Sequence, residues 1–160
     1  MTSIRVLIVE DEADIRTLLA ELLRHDGYEV IEAADGDQAV VLIDGSHGFD
    51  LLLTGVQLPG LVDGIQVAAY ARQRYRNVPV IVVSAQPSNA QLLGRLVSRS
   101  VFIGKPYRLN TLLETMRRML AEPVLDPVHV LVHSSLPTTD AAATPLLWPT
   151  RASLDVNGAV

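Results

Sequence analysis

Short runs of β-branched and other apolar residues alternate with longer stretches of helical periodicity from the N-terminus to about residue 120. The runs predict five strands, Ile4–Val9, Tyr28–Glu32, Asp50–Thr54, Val78–Val83 and Val101–Ile103. This regular alternation is typical of repeated βα units, in which helices cover both faces of a parallel sheet. The predicted fold class is therefore α/β with one five-stranded parallel sheet.

Apolar residues at helical spacing predict the helices between these strands. The first helix carries its stripe at Ile15, Leu18, Leu19, Leu22 and Leu23, and the last carries one from Leu109 to Leu120. Residues 36–43, 64–75 and 88–97 predict the three intervening helices. The 88–97 segment contains Gly94 and fewer apolar anchors, so we expect it to be the marginal and most mobile helix.

The character of the chain changes after Ala121. Residues 122–160 contain five of the nine prolines and a Thr/Ala/Ser-rich stretch without sustained periodicity. This composition predicts a domain over residues 1–121 and a flexible, Pro-rich C-terminal tail over residues 122–160. The apolar islands Val128–Val132 and Leu146–Trp148 are interpreted as incidental, with docking on the domain or on a partner as the alternative.

Composition narrows the function classes. The 160 residues suffice for one α/β domain, and a net charge of −5 gives no basic surface for nucleic acid. Absence of cysteine excludes disulfides, thiolate catalysis and cysteine-ligated zinc. The first residues lack the features of a secretory signal, and no apolar run approaches the length of a membrane span, so we expect a cytosolic protein without membrane contact.

Polar residues stand where several predicted strands end. The first strand is followed by Glu10-Asp11-Glu12, the third ends at Thr54-Gly55, the fourth at Ser84, and the fifth is followed by Gly104-Lys105-Pro106. Because ligands of open parallel sheets bind beyond the carboxyl ends of the strands, these residues are expected to converge on one site.

Four segments around these positions resemble the receiver domains of two-component response regulators. They are VLIVEDE (6–12), FDLLLTGVQLPG (49–60), VIVVSA (80–85) and FIGKPY (102–107), in the order and at the spacing of that family. The resemblance covers about residues 4–120 and implies the flavodoxin-like (βα)5 receiver fold. Four segments in register make coincidence improbable.

The resemblance implies a role for each residue of the site. Glu10 and Asp11 become the acids that bind Mg²⁺, Ser84 the switch hydroxyl, Phe102 the switch aromatic and Lys105 the cation that pairs with phosphate. The phosphate-accepting aspartate is expected four residues before Pro59, where this chain has Gly55. Glycine cannot be phosphorylated, and loss of the third carboxylate is expected to weaken Mg²⁺ binding.

Neighbouring residues are poor substitutes for the missing acceptor. Thr54 is adjacent, but successive strand residues point to opposite faces. Asp50 lies near the wrong end of the strand, and Asp63 precedes Gly64 in a loop where a turn or helix start is the simpler interpretation.

Each candidate site residue could also have an ordinary role in the fold instead of a role in the site. Acids after a strand are common in the first turn of a helix, and Phe102 is most simply a core aromatic. Lys105 is more informative, because it is the only lysine among thirteen basic residues and directly precedes a proline. Two departures from the family pattern are a loop after Pro59 that is one residue longer than usual and Glu10 in place of the commoner aspartate.

The leading hypothesis is a receiver that signals by protein–protein interaction without phosphorylation at Gly55, and that is not an enzyme. The expected partners are a histidine kinase, a phosphotransfer protein, an effector or a second copy of the chain, bound through about residues 88–120. The alternative is an ordinary phosphate-accepting regulator in which Gly55 is an engineered replacement of aspartate. A Mg²⁺-dependent phosphatase is a weaker alternative, because no nucleophile faces the acid pair.

Overall fold

The computed structural model describes residues 2–45, 48–97 and 99–122. Strands and helices alternate strictly through this part of the chain. In chain order the elements are β1 (Arg5–Val9), α1 (Ala13–His25), β2 (Glu29–Ala33), α2 (Gly36–Asp44), β3 (Leu51–Gly55), α3 (Gly64–Arg74), β4 (Val80–Ser84), α4 (Ser88–Leu96), β5 (Ser100–Gly104) and α5 (Leu109–Ala121).

The five strands form one parallel sheet in the order β2-β1-β3-β4-β5. The strand order reverses beside β1, which lies between β2 and β3. The registers Gly55↔Val83 and Ser84↔Gly104 align the last residues of β3, β4 and β5. All carboxyl ends therefore meet at one edge, which confirms the predicted fold class.

Helices cover the sheet on both faces. Leu7 and Val9 of β1 belong to the core formed with α2, α3 and α4, whereas Val6 and Ile8 belong to the core formed with α1 and α5. Both sets are almost fully buried. Burial on two sides explains why β1, β3 and β4 are nearly continuous apolar runs in the sequence.

The ends of the predicted strands shift by one or two residues. β4 begins at Val80 instead of Val78, because Pro79 lacks the N–H that a ladder residue would donate. β5 extends one residue beyond the prediction at each end, since Gly104 still pairs with Ser84. The 88–97 segment does form a helix, Ser88–Leu96, whose start has no side-chain cap hydrogen bond.

The start of α3 is fixed by a capping box. Asp63 Oδ1 accepts a hydrogen bond from Gln66 N at 2.8 Å, and Gln66 Oε1 accepts one from Asp63 N at 2.9 Å. This reciprocal pair satisfies two backbone donors that a helix start leaves free. The interpretation of Asp63 as a helix start is confirmed.

One arginine joins three segments at the amino ends of the strands. The Arg99 guanidinium donates to the carbonyl oxygens of Asn77 at 2.6 Å, Met119 at 2.7 Å and Glu122 at 3.0 Å. Its backbone has a positive φ of 49°, which is uncommon for a residue with a side chain. Arg99 thereby ties the loop before β4 and the start of β5 to the C-terminal end of α5.

The predicted tail, apart from Glu122, lies outside the described residues, as do its two apolar islands. Within residues 2–45, 48–97 and 99–122, none of the helices has the length and apolar character needed to cross a membrane.

Candidate functional site

The carboxyl edge of the sheet brings together the residues singled out from the sequence. Glu10 follows β1 and is 5% exposed, Gly55 ends β3, Ser84 ends β4 and is 6% exposed, and Lys105 follows β5. Lys105 is held close to β4 because its backbone N donates to Ser84 O at 2.9 Å. Two charged side chains, a hydroxyl and a glycine therefore share one small region, as predicted.

Glu10 is the centre of the charge cluster. Its Oε2 lies 3.8 Å from Lys105 Nζ, and its Oε1 accepts a hydrogen bond from Glu12 N at 3.2 Å. Asp11 follows Glu10 directly in the chain, and its carboxylate contributes to the raised pKa of Glu10. The site thus contains two adjacent carboxylates and one ammonium group.

Gly55 faces this cluster. A Cβ atom built on Gly55 would lie 3.8 Å from Leu58 Cδ2, 3.9 Å from Glu10 Oε2 and 3.9 Å from Val9 O. These are ordinary van der Waals distances, so the position has room for a side chain, and that side chain would point toward Glu10. A carboxylate on that side chain would be a third acid beside Glu10 and Asp11. Across the described part of the chain, no three His, Cys, Asp or Glu side chains are grouped to hold a metal.

Thr54 does not take the place of the absent side chain. It is fully buried and shares its strand face with Leu52 of the core beneath α2, α3 and α4. Its hydroxyl donates to Gly55 O at 2.8 Å. The predicted orientation away from the acids is consistent with this geometry. Asp50 is also remote, since its Oδ2 accepts from Arg5 N at the beginning of β1.

The backbone of Gly55 is packed against a second glycine. A Cβ atom on Gly64 would lie 1.6 Å from Gly55 O and 2.6 Å from Gly55 C. Gly64 N also donates to Val56 O at 2.8 Å. Only a residue without a side chain allows the first turn of α3 to approach β3 this closely. The sequence pattern predicted Gly64 only as the start of a helix, so this close approach to Gly55 was not predicted.

Ser84 is tied to the first turn of α4. Its Oγ accepts hydrogen bonds from Asn89 Nδ2 at 2.9 Å and from Gln86 N at 3.1 Å. The hydroxyl can still donate one hydrogen bond. Asn89 was not predicted, and its only sequence signal was a polar residue in the first turn of the helix that follows Ser84.

The two aromatic residues near the site have different environments. Phe102 is 7% exposed and packs in the core with Val82 and Leu93, in agreement with its interpretation as a core aromatic. Tyr107 follows Lys105-Pro106 and is half-buried; burial and the charge of Glu10 raise the pKa of its hydroxyl. A groove of about 760 Å³ runs between β5 and α5 and includes both rings in its lining.

The pKa of the Glu10 carboxyl is raised above its ordinary value of 4.5, mainly by burial. The Glu12 N–H and the Lys105 ammonium oppose this effect, and Asp11 adds to it. A raised acid pKa stabilises the folded protein below the unfolded-state pKa, and this contribution is lost as the pH rises through the folded-state pKa. The affected window therefore begins near pH 4.5 and extends upward.

We expect Glu10→Gln to remove this pH dependence and to raise stability at neutral pH. The amide keeps the acceptor for Glu12 N and avoids the buried charge. Urea unfolding across a pH series measures the effect, with the exposed Glu21→Gln as the matched control. If the free energy of unfolding of Glu10→Gln varied with pH in parallel with that of the unmodified protein, Glu10 would not be the source of the pH dependence.

Comparison with known proteins agrees with this geometry. The family model described as response regulator receiver domain matches residues 6–117. The chain is 32% identical over 120 residues to the transcriptional regulatory protein TcrA of Mycobacterium tuberculosis, and 35% identical over 117 residues to CpxR of Escherichia coli. These alignments cover 74% and 72% of this chain but 47% and 49% of the relatives. The chain thus spans about half the length of these curated relatives.

Solved structures give the same result. The crystal structure of the receiver domain of the hybrid histidine kinase CckA is 35% identical, with a TM-score of 0.61, over 72% of this chain and 98% of that domain. TrrA of Thermotoga maritima, solved in complex with Mg²⁺ and BeF, is 27% identical with a TM-score of 0.63, over 72% of this chain and 98% of that chain. The fold, the family model and the order of the strand-end residues together show that the chain belongs to the response regulator receiver domain family.

Proposed function

We propose that this chain is a receiver domain of a two-component system that acts through protein–protein contacts without accepting a phosphoryl group at position 55. The observation that carries the proposal is Gly55, which faces Glu10 from the end of β3. Aspartyl phosphorylation requires a carboxylate oxygen that attacks phosphorus while the donor's leaving group departs. Gly55 supplies no such oxygen.

The arrangement of the other candidates supports this proposal. Thr54 is buried beneath the opposite helices, and the Asp63 carboxylate caps α3. Asp11 and Glu10 remain, and they are the residues that would hold Mg²⁺, which in this family neutralises charge on the incoming phosphoryl group. With only two of three carboxylates present, we expect weaker Mg²⁺ binding.

The ion pair between Lys105 and Glu10 supports a site that rests in a single arrangement. Loss of the third carboxylate removes like-charge repulsion and leaves Lys105 paired with Glu10 at 3.8 Å. The Ser84 hydroxyl is held by the first turn of α4. We propose that these contacts keep α4, β5 and α5 in one arrangement for binding.

The partner surface proposed is that of about residues 88–120. It includes the groove between β5 and α5, whose rim carries Arg108, Glu114 and Arg118 beside apolar strand residues. Partners of this surface are a histidine kinase, a phosphotransfer protein, an effector or a second copy.

We further propose that residues 1–121 form the receiver unit and that residues 122–160 are an extension of it, and that the unit is not an enzyme.

The test is direct phosphorylation of the unmodified protein. After incubation with acetyl phosphate and Mg²⁺, we expect the intact mass to remain that of the unmodified chain, because no carboxylate faces Lys105 from β3. A stoichiometric mass increase of one phosphoryl group, stable to acid and labile to base, would overturn the proposal.

An ordinary phosphate-accepting regulator is the second candidate function. The observation that favours it is the space at Gly55, where a Cβ atom makes only van der Waals contacts. In this case Gly55 is a single replacement within an otherwise competent site. The natural coding sequence distinguishes the two, since it specifies either glycine or aspartate at position 55.

A further inference from the structure

The start of α4 lacks the side-chain cap that α2 and α3 have. The carboxylates of Asp35 and Asp63 cap those two helices, whereas Pro87, which precedes Ser88 in α4, makes no side-chain cap hydrogen bond. An uncapped helix start leaves backbone donors unsatisfied and opens more easily. The attachment of this end of α4 to the sheet therefore depends on other contacts.

Asn89, in the first turn of α4, makes such a contact. Its Nδ2 donates a hydrogen bond to Ser84 Oγ at 2.9 Å, and Gln86 N donates to the same oxygen at 3.1 Å. A hydroxyl oxygen has two lone pairs, so both are engaged by the segment that leads into α4. Ser84 is buried at the end of β4, where water competes little for these bonds. The hydroxyl is thus committed to the helix.

The apolar contacts of α4 with the sheet are few. Among the described side chains of this helix, only Ala90 and Leu93 are buried. Leu92 is 39% exposed, and Gly94 has no side chain to pack. A helix with so little buried apolar surface has a low local stability, so a single polar contact at its start has a large share in holding it.

We propose that Asn89 is a positioning residue, which holds the start of α4 against the end of β4 through Ser84 and so sets where α4 lies in the partner surface. Ser84 also accepts a hydrogen bond from Lys105 N at 2.9 Å through its carbonyl oxygen, so this one residue joins α4 to the turn after β5. The inference rests on the proposed function and deepens it, because the contact fixes α4 without a phosphoryl group. A partner that binds residues 88–120 then meets α4 in the arrangement that Asn89 maintains.

Hydrogen exchange of the complete chain, followed by mass spectrometry or NMR, tests the proposal. In Asn89→Ala, the amides of residues 86–93 should exchange about fivefold faster or more, because one hydrogen bond no longer opposes local opening. Alanine has the higher helix propensity, so a weaker helix former cannot be the cause of faster exchange. Gln91→Ala, at an exposed position of the same helix, is the matched control and should leave these rates unchanged. Unchanged rates in Asn89→Ala would overturn the inference.

A double-mutant cycle shows whether Asn89 acts through Ser84. Ser84→Ala removes the acceptor of both hydrogen bonds, so the double variant Ser84→Ala with Asn89→Ala should exchange no faster than Ser84→Ala alone. Multiplying effects of the two substitutions would overturn the inference. A phosphoryl mass increase with acetyl phosphate contradicts the proposed function, whereas these exchange rates test the contact of Asn89 alone, so the two failures are distinguishable.

Discussion

Gly55→Asp is expected to convert the chain into a phosphate acceptor. The new carboxylate would project from the end of β3 toward Glu10, in a space whose nearest atoms lie 3.8–3.9 Å from its Cβ. It would join Glu10 and Asp11 as a third oxygen ligand for Mg²⁺ and lie near the Lys105 ammonium, so that all the required charges are present. Incubation with acetyl phosphate and Mg²⁺ should then add one phosphoryl group, measured by intact mass.

Gly55→Asn is the matched control, because it has the same size but lacks the nucleophilic carboxylate. It should remain unmodified under the same conditions. A pull-down with the unmodified protein beside Gly55→Asp, each with and without acetyl phosphate, then reports whether partner binding depends on the phosphoryl group. Failure of Gly55→Asp to be phosphorylated, in a variant that folds and binds Mg²⁺, would show that Ser84 or Lys105 is not placed for transfer.

Gly64→Ala is expected to destabilise the domain by about 3 kcal/mol or more, because its methyl group would overlap the carbonyl of Gly55. Helix propensity alone predicts the opposite, a gain of about 1 kcal/mol for replacing glycine by alanine. The added Cβ atom would lie only 1.6 Å from Gly55 O, and this overlap decides between the two effects. The obstructing atom belongs to the backbone and cannot rotate away. Urea unfolding measures the change in the free energy of unfolding.

Gly104→Ala provides the comparison for this prediction. Gly104 also lies at a strand end, but the nearest atom to its Cβ would be Phe102 Cε1 at 3.8 Å. We expect its effect to stay within about 0.5 kcal/mol, the range of substitutions that disturb no buried contact. Equal losses in the two variants would mean that the contact between Gly64 and Gly55 is not responsible.

The sequence was sufficient to predict the features that depend on one segment at a time. Apolar runs and helical stripes predicted the strands and helices of the described residues, and the positions at strand ends predicted that Glu10, Gly55, Ser84 and Lys105 would lie at one edge of the sheet. Asp63 was interpretable as a helix start because its cap partner, Gln66, is three residues away. These signals are local, because the residues that interact are also close to each other in the sequence.

Contacts between distant segments were not predictable in this way. Arg99 reaches back to Asn77 and forward to Met119 and Glu122, and nothing in its neighbourhood in the sequence indicates these carbonyl partners. The approach of Gly64 to Gly55 likewise depends on how α3 crosses β3, which a one-dimensional pattern does not contain. The end of β5 shifted for a related reason, since Gly104 still pairs with Ser84 of the neighbouring strand.

The three hydrogen bonds of Arg99 also hold Glu122, the last described residue, beside the sheet. Glu122 O is held by the same guanidinium that contacts the loop before β4, and Arg99 itself directly precedes edge strand β5. Glu122 and the last turn of α5 are therefore joined through one side chain to the amino ends of β4 and β5. Because Arg99 directly precedes β5, we expect a displacement of this edge strand to move the end of α5 with it, through the hydrogen bonds to Met119 O and Glu122 O.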